Sequence, residues 1–275
     1  MILDSLYLRN TPEEEVFPFT LPIIKSLEEP IKFTSNITFF VGENGSGKST
    51  LLEGIAAKLN LPVAGNASID LDPALENARF LAKYLSLGQQ NKSNSGFFSR
   101  AEDFIGFVKN IQRQIAELNA EINEIQDTWT GGDISYAIGA VKGERDALIQ
   151  RYTADLDAMS HGEGFLKFFV SRITGKGIYL IDEPEAALSP QRQLSLISLL
   201  ISKVKEVDAQ FIIAIHSPII MAIPGARILE FKEGKITEVK YQETEHYQLT
   251  KLFLENPEGV LRGLSGNYSG GYNHV

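Results

Sequence analysis

Three short segments mark the strands that we expect at the centre of a sheet: one is rich in β-branched and aromatic residues, and two are continuous apolar runs. They lie at residues 36–41, 178–181 and 211–215, and each is flanked by polar or turn-forming residues. Such runs are typical of parallel strands that are covered on both faces. Residues 190–204 have a helical pattern between the second and third runs, which predicts a crossover helix. The chain is therefore predicted to be of the α/β class.

Weaker patterns surround these runs. Residues 1–8 alternate loosely and predict an edge strand, while residues 49–59 place apolar side chains on one side and predict a helix. A further helix is expected within residues 73–86, followed by a polar loop over residues 88–96. Residues 97–102 predict a strand that leads directly into the central part of the chain.

A heptad pattern occupies that central part. The apolar positions recur at alternating spacings of four and three, at Phe104, Val108, Ile111, Ile115, Leu118, Ile122 and Ile125. This pattern predicts one long amphipathic helix. A weaker stripe over residues 134–152 predicts a second helix, packed antiparallel on the first. Trp129 lies at the expected tip, where it either covers the end of the hairpin or offers an exposed anchor to a partner.

The length of 275 residues suits one core with a small helical lobe better than two full domains. We expect residues 1–100 and 160–264 to form the α/β domain and residues 101–159 to form an inserted helical hairpin. The last segment, residues 265–275, is polar and rich in glycine, and it is expected to be loose.

Composition narrows the classes of function. No apolar run approaches the roughly 20 residues of a membrane span, and the chain begins without a secretory signal pattern, so we expect a cytoplasmic protein. The absence of cysteine excludes disulfides, cysteine-based zinc sites and thiol nucleophiles. The net charge of −9 weakens non-specific attraction to nucleic acid, although a local basic face could still form.

The strongest chemical signal is a phosphate-binding pattern, G-x-x-x-x-G-K-[ST], between a predicted strand and a predicted helix. Its residues are Gly42, Glu43, Asn44, Gly45, Ser46, Gly47, Lys48, Ser49 and Thr50. Glycines allow backbone N–H groups to surround a phosphate, and the helix N-terminus adds favourable partial charge. We expect Lys48 to be exposed and to reach the β and γ phosphates of ATP, and the hydroxyl of Ser49 to coordinate Mg²⁺. A bare glycine turn would not require a lysine and a serine at those offsets.

Two carboxylates at the end of a predicted strand supply a second signal. Asp182 and Glu183 follow the apolar run at residues 178–181. Alone, they could be two exposed charges at a strand end. Downstream of a phosphate loop, Asp182 is better interpreted as a group that holds Mg²⁺, and Glu183 as the general base that activates water.

The motifs together resemble the ABC-type ATPase superfamily. The sequence Asp-Glu-Pro-Glu-Ala-Ala-Leu-Ser-Pro at residues 182–190 is similar to its Walker B motif and D-loop, and residues 159–163 lie where its signature motif precedes a helix. His216, followed by Ser-Pro after a predicted strand, lies where the family has its switch histidine. Within the superfamily, the chain looks most like small stand-alone ATPases related to the SMC, RecF and overcoming-lysogenization-defect groups.

The resemblance implies a P-loop fold: a mixed sheet flanked by helices, with the hairpin as an insertion. It also implies that two chains pair head to tail, with each ATP lying between one chain's phosphate loop and the other chain's Ser160, His161 and Gly162. His216 would then contact the γ-phosphate. His161 and Glu163 depart from the usual signature, and an extra carboxylate beside phosphate would be unfavourable unless it is paired.

The glutamine of the family's Q-loop has three candidate positions in this sequence, namely Gln89, Gln90 and Glu102. The motifs do not decide among them.

Three functions remain open from the sequence. The first is an ATP-hydrolysing homodimer that acts on a DNA or protein partner; DNA is suggested only by analogy with the SMC-like relatives. Pairing could align four basic residues of the hairpin into one face, Lys109, Arg113, Lys142 and Arg145. The second is the ATPase subunit of a membrane transporter, which the Asp-Glu-Pro-Glu run and the hairpin disfavour. The third is a nucleotide-dependent scaffold, which has no need of the base Glu183.

Overall fold

The computed structural model describes residues 1–12, 15–64, 75–89, 95–150 and 161–264. The described strands, in chain order, are β1 (Leu3–Leu8), β2 (Ile31–Lys32), β3 (Ile37–Gly42), β4 (Leu85–Gln89), β5 (Gly96–Arg100), β6 (Ile178–Asp182), β7 (Gln210–Ala214), β8 (Arg227–Lys232) and β9 (Lys235–Val239). The described helices are α1 (Pro22–Lys25), α2 (Lys48–Leu59), α3 (Glu76–Tyr84), α4 (Ala101–Thr128), α5 (Ser135–Leu148), α6 (His161–Arg172), α7 (Pro190–Val207), α8 (Pro218–Met221), α9 (Glu245–Glu255) and α10 (Pro257–Leu264).

The larger sheet has the strand order β5-β6-β7-β3-β8-β9 among the described residues. The first five strands in this order, β5, β6, β7, β3 and β8, are all parallel, and β9 pairs antiparallel with β8. The three segments expected at the centre form β3, β6 and β7, as predicted, and their carboxyl ends share one edge of the sheet. Helix α7 makes the predicted crossover between β6 and β7. The α/β class, with a mixed sheet flanked by helices, is confirmed.

The central strands are mostly apolar because helices cover both faces of the sheet, although β3 buries Thr38 and β7 buries Gln210. Leu51 and Ile55 of α2 are fully buried on one face, and Leu196 and Leu200 of α7 are fully buried on the other. Burial of each such side chain contributes about 1.5–3 kcal/mol relative to exposure. This packing holds the carboxyl ends of the strands in fixed relative positions.

A smaller antiparallel sheet has the order β2-β1-β4 in the described chain. The prediction of an edge strand at residues 1–8 was therefore wrong, because β1 lies between two partners. Strand β4 covers the last two residues of the segment in which we expected a helix and the first two residues of the expected polar loop, so both of those bounds were wrong. The two sheets are joined by the buried side chain of Gln210, which accepts from the N–H groups of Ile2 and Leu3 at 2.8 Å and donates to the Leu3 carbonyl at 2.7 Å.

Helices α4 and α5 pack on each other at the predicted hairpin. Ile111 and Ile122 of α4 and Ile138 of α5 are buried, in agreement with the heptad pattern. Trp129 follows α4, is 43% exposed and donates from Nε1 to the carbonyl of Gly132 at 3.0 Å. It therefore covers the hairpin end only in part. The proposed domain boundaries stay a prediction.

Helices α9 and α10, which follow β9, were not predicted from the sequence. Their exposed apolar side chains are those of Leu249, Leu252, Phe253, Leu254, Leu261 and Leu264. Within the described ranges, no helix combines the length and the apolar character that a membrane span requires. The predicted loose tail, residues 265–275, lies outside the described residues, and the cytoplasmic location stays a prediction.

Candidate functional site

The phosphate-binding pattern forms a tight loop between β3 and α2. Gly42, Gly45 and Gly47 have φ values of 146°, 80° and 96°, a region that L side chains rarely adopt. A Cβ at Gly42 would lie 2.5 Å from the Phe231 carbonyl oxygen, and one at Gly47 would lie 2.5 Å from Cγ2 of Ile23. The loop consequently needs glycine for both conformation and space, and it leaves the free N–H groups of the first turn of α2 available to an anion.

Lys48 is the first residue of α2, and it is only 3% exposed, so the expectation of an exposed side chain was wrong. Its ammonium group donates to the carbonyl oxygens of Gly42 and Glu43, both at 2.9 Å. Burial lowers the pKa of Lys48, and the carboxylates of Glu183 and Asp182 oppose that shift. Two carbonyl groups of the loop thus hold the ammonium group in place, at the position where the loop would surround a phosphate.

Ser49 and Asp182 bring two oxygens together from different segments. Asp182 ends β6, and its Oδ1 accepts a hydrogen bond from the Ser49 hydroxyl at 3.2 Å. Burial raises the pKa of Asp182 to about 6, while the Ser49 hydroxyl and then Lys48 act in the opposite direction. A hydroxyl and a carboxylate suit Mg²⁺, which binds oxygen and usually keeps several water or phosphate ligands. Among the described residues, no group of three or more His, Cys, Asp or Glu could hold a metal by itself.

Glu183 takes a left-handed backbone conformation directly after β6, with φ 48° and ψ 52°. Its N–H group donates to the carbonyl of Ala214 at 2.9 Å, which links this turn to the end of β7. A left-handed conformation costs a residue with a Cβ about 1–2 kcal/mol. The side chain is 42% exposed, so water reaches the carboxylate.

His216 lies just beyond β7 and faces the same carboxylate. Its Nε2 lies 3.4 Å from Oε1 of Glu183, and its backbone N–H donates to Oε1 of Glu185. Burial raises the pKa of Glu185. Burial also lowers the pKa of His216, with a further lowering by Lys48, whereas Glu183 raises it. Five of the residues predicted from the sequence therefore meet at one edge of the sheet, namely Lys48, Ser49, Asp182, Glu183 and His216.

The structure adds His246, which the sequence analysis missed. Its Nε2 lies 3.0 Å from Nδ1 of His216. His246 is in the first turn of α9 and, with residues 42–46 of the phosphate loop, it lines a cavity of about 630 Å³. No motif or spacing in the sequence connects a histidine in this helix with one 30 residues earlier.

The predicted signature residues cannot be placed against a phosphate in a single chain. Ser160 lies outside the described residues. His161 and Gly162 are the first two residues of α6, so the signature position overlaps the start of a helix, and the contacts of these side chains are not described. Their approach to the phosphate loop of a second chain stays a prediction.

The Q-loop position also stays open. Gln89 ends β4 in the smaller sheet, and Gln90 lies outside the described residues. Glu102 is the second residue of α4 and follows β5, whose last residue, Arg100, is the register partner of Asp182.

Comparison with known proteins gives a match to the phosphate loop and its surroundings. A family model described as an AAA domain matches residues 22–60, which include the whole loop and α2. No curated protein sequence matches the chain.

Solved structures with a similar course of the chain include SMC head domains and a transporter ATPase. The SMC head domain from Thermotoga maritima is 17% identical with a TM-score of 0.45, covering 87% of this chain and all of that one. The Smc head domain of Pyrococcus furiosus, bound to the C-terminal domain of ScpA, is 13% identical with a TM-score of 0.45, covering 93% and 99%. A nucleotide-free ATP-binding cassette from an ABC transporter is 15% identical with a TM-score of 0.42, covering 94% and 98%. The family match at residues 22–60 and the geometry of the site agree with the resemblance seen in the motifs, that of an ABC-type P-loop ATPase.

Proposed function

We propose that this protein binds ATP with Mg²⁺ and hydrolyses it to ADP and phosphate. The observation that carries the proposal is the convergence of a phosphate loop, a magnesium-type oxygen pair and a water-accessible carboxylate at one sheet edge. Ser49 and Asp182 come within 3.2 Å of each other, and His216 comes within 3.4 Å of Glu183. These residues belong to separate segments, so their meeting is a property of the fold.

The phosphate loop supplies the binding energy for the nucleotide in this proposal. Backbone N–H groups at the start of α2 face the phosphates, and the Lys48 ammonium group exchanges its two carbonyl acceptors for phosphate oxygens. The Ser49 hydroxyl and the Asp182 carboxylate would hold Mg²⁺. When bound, Mg²⁺ neutralises charge that develops on the phosphate oxygens.

Glu183 is the proposed general base. Its carboxylate is partly exposed and lies beside the magnesium ligand Asp182, so it can accept a proton from a water molecule that enters the site. His216 approaches the same carboxylate through Nε2. Its imidazole orients Glu183 and, as a hydrogen-bond donor, can also serve the terminal phosphate.

Glu183→Gln tests this assignment. The amide can hydrogen-bond water but cannot take its proton, so turnover should fall by about 10²–10⁴ while ATP affinity stays near that of the parent. Calorimetry measures the affinity, and phosphate release measures the turnover. Glu124→Gln on the exposed face of α4 is the matched control and should hydrolyse ATP at the parent rate. Parent-like turnover by Glu183→Gln would refute the base assignment.

We further propose that ATP joins two chains head to tail. What supports this is the motif resemblance, together with the start of α6 at the signature position. The Glu183→Gln variant should accumulate as a dimer with MgATP and remain a monomer without it, as measured by light scattering. Ser160→Arg should prevent this dimer through size and charge. A variant that stays monomeric in MgATP would contradict the model.

The partner on which such a dimer acts is proposed to be a protein rather than duplex DNA. Two of the basic residues that could have formed a DNA-binding face are engaged within the hairpin. Arg113 lies 3.8 Å from Glu117 and 2.8 Å from Asn110, and Arg145 lies 2.6 Å from Asp146. Fluorescence anisotropy with Glu183→Gln and a DNA duplex, with and without ATP at two salt concentrations, should detect no tight binding. Salt-sensitive, ATP-dependent binding would favour DNA instead.

A further inference from the structure

His246 makes a direct side-chain contact with the proposed ATPase site, yet the reaction described above assigns it no role. Its ring lies 5.1 Å from that of His216, measured between centroids, at an angle of 63°. The short contact joins Nε2 of His246 to Nδ1 of His216 at 3.0 Å. Two imidazoles this close must be arranged as one donor and one acceptor, because two neutral acceptors or two donors would repel each other.

The surroundings of His216 decide which ring is the donor. Its other nitrogen, Nε2, lies 3.4 Å from a carboxylate oxygen of Glu183, and an ionised carboxylate only accepts hydrogen bonds. The favourable neutral tautomer of His216 therefore carries its proton on Nε2. Its Nδ1 is then an acceptor, so His246 must donate from its own Nε2. His246, His216 and Glu183 therefore stand in a row, in which the hydrogen bond between the two imidazoles is short and the contact from Nε2 of His216 to Glu183, at 3.4 Å, is longer than a normal hydrogen bond.

The protein anchors the segment that delivers His246. Thr244 is fully buried at the N-terminus of α9, where its hydroxyl donates to the Tyr241 carbonyl at 2.8 Å. The hydroxyl of Tyr241 donates to the carbonyl of Pro218 at 2.9 Å, two residues after His216. Glu245 adds a contact of 3.6 Å with Lys232. The start of α9 is thus fastened to the segment that carries His216.

We propose that His246 is a positioning residue that holds His216 in the Nε2–H tautomer, with that N–H directed at the carboxylate of Glu183. This inference rests on the proposed ATPase function. Burial and the nearby Lys48 charge lower the pKa of both imidazoles, which favours the neutral forms that the row requires. Without His246, only the 3.4 Å contact with Glu183 favours the Nε2–H tautomer, so a larger share of the His216 rings can carry the proton on Nδ1 and turn an acceptor toward Glu183, which disorders the proposed base.

The first measurement is the tautomer of His216 in the nucleotide-free protein, obtained from ¹⁵N chemical shifts of its imidazole. The parent should show the Nε2–H form, and His246→Ala should shift the signals toward the Nδ1–H form. His246→Gln is the conservative variant, because its side-chain amide can donate from near the position of Nε2. It should restore the parent signature.

The second measurement is steady-state ATP hydrolysis. His246→Ala should lower kcat by about 10- to 100-fold with KM for ATP within about twofold, as is typical when the group that orients a working side chain is lost. His246→Gln should recover most of that loss. Thr250→Ala, an exposed position one helical turn further along α9, is the control and should match the parent in both measurements.

The outcomes separate this proposal from the function on which it rests. A parent His216 in the Nδ1–H form, or an unchanged tautomer and kcat in His246→Ala, would overturn the positioning role while leaving ATP hydrolysis intact. A raised KM at constant kcat would also overturn it, since it would assign His246 to the cavity wall. If the parent neither binds nor hydrolyses ATP, the proposed function fails, and the tautomer signals alone then decide whether His246 controls His216.

Discussion

Gly47→Ala should reveal how closely the phosphate loop is packed against α1. Gly47 has φ 96°, and an added Cβ would lie 2.5 Å from Cγ2 of Ile23. Ile23 is 2% exposed within the four-residue helix α1, which leaves it little freedom to move aside. The substitution must therefore strain the loop and displace α1 at the same time.

The magnitude follows from these two effects. A residue with a Cβ in a left-handed conformation costs about 1–2 kcal/mol, and an extra methyl group forced into a packed core costs about 1–3 kcal/mol. The free energy of unfolding should fall by about 2–5 kcal/mol. Gly45 is the matched control, because it has φ 80° but no described atom lies within 4 Å of its added Cβ. Gly45→Ala should cost only the conformational part, about 1–2 kcal/mol.

Urea denaturation of the nucleotide-free protein measures both variants, and a double-mutant cycle with Ile23→Ala isolates the steric part. Truncating Ile23 opens a cavity that can accept the new methyl group. The double variant should consequently be more stable than the sum of the single effects by about 1–3 kcal/mol. Additivity within about 0.5 kcal/mol, or equal destabilisation by Gly47→Ala and Gly45→Ala, would refute the packing argument.

Three other substitutions test separate parts of the structure. Lys48→Met should abolish ATP binding in calorimetry, because no other described side chain in the loop carries a positive charge; parent-like affinity would refute the phosphate-loop assignment. Asp182→Asn should stabilise the metal-free protein at pH 8 by up to about 3 kcal/mol, since a pKa raised from 3.8 to about 6 makes the ionised form unfavourable as pH rises through that interval. This gain in stability from Asp182→Asn should nearly vanish at pH 4. The control Asp208→Asn should be destabilising at pH 8, because Lys176 lowers the pKa of Asp208. An effect of Asp182→Asn that does not change with pH would contradict the raised pKa of Asp182. Ile122→Ala should cost about 2–5 kcal/mol in a urea titration of the hairpin region, and a loss below about 1 kcal/mol would show that α4 and α5 do not pack as described.

Local chemistry explains what the sequence could predict. The strands β6 and β7 each contain a continuous apolar run, and the phosphate loop needs glycine, lysine and serine at fixed offsets, so each is visible in a short window. Strand β4 was missed because Leu85–Gln89 contains a serine, a glycine and a glutamine. Its strand conformation comes from pairing with β1, a partner nearly 80 residues away in the chain.

The missed parts of the site depend on the path of the chain. His246 and His216 are 30 residues apart, and Gln210 bonds to residues more than 200 positions earlier. Neither contact follows from periodicity or from a motif, because each is created when separate elements pack. The burial of Lys48 was unexpected for a similar reason, since its two acceptors are carbonyl groups that only the folded loop turns inward.

The length of α4 has a mechanical consequence. Its 28 residues form a rod of about 42 Å, whose base follows directly on Arg100 in β5, beside Asp182. A tilt of about 5° at the base would sweep the far end through about 4 Å at that length. A partner that binds the far end near Trp129 would therefore act on the nucleotide site, because a displacement of that end tilts the base of α4 beside Asp182. If ATP binding changes the affinity for that partner by a given factor, then binding of the partner must change the affinity for ATP by the same factor.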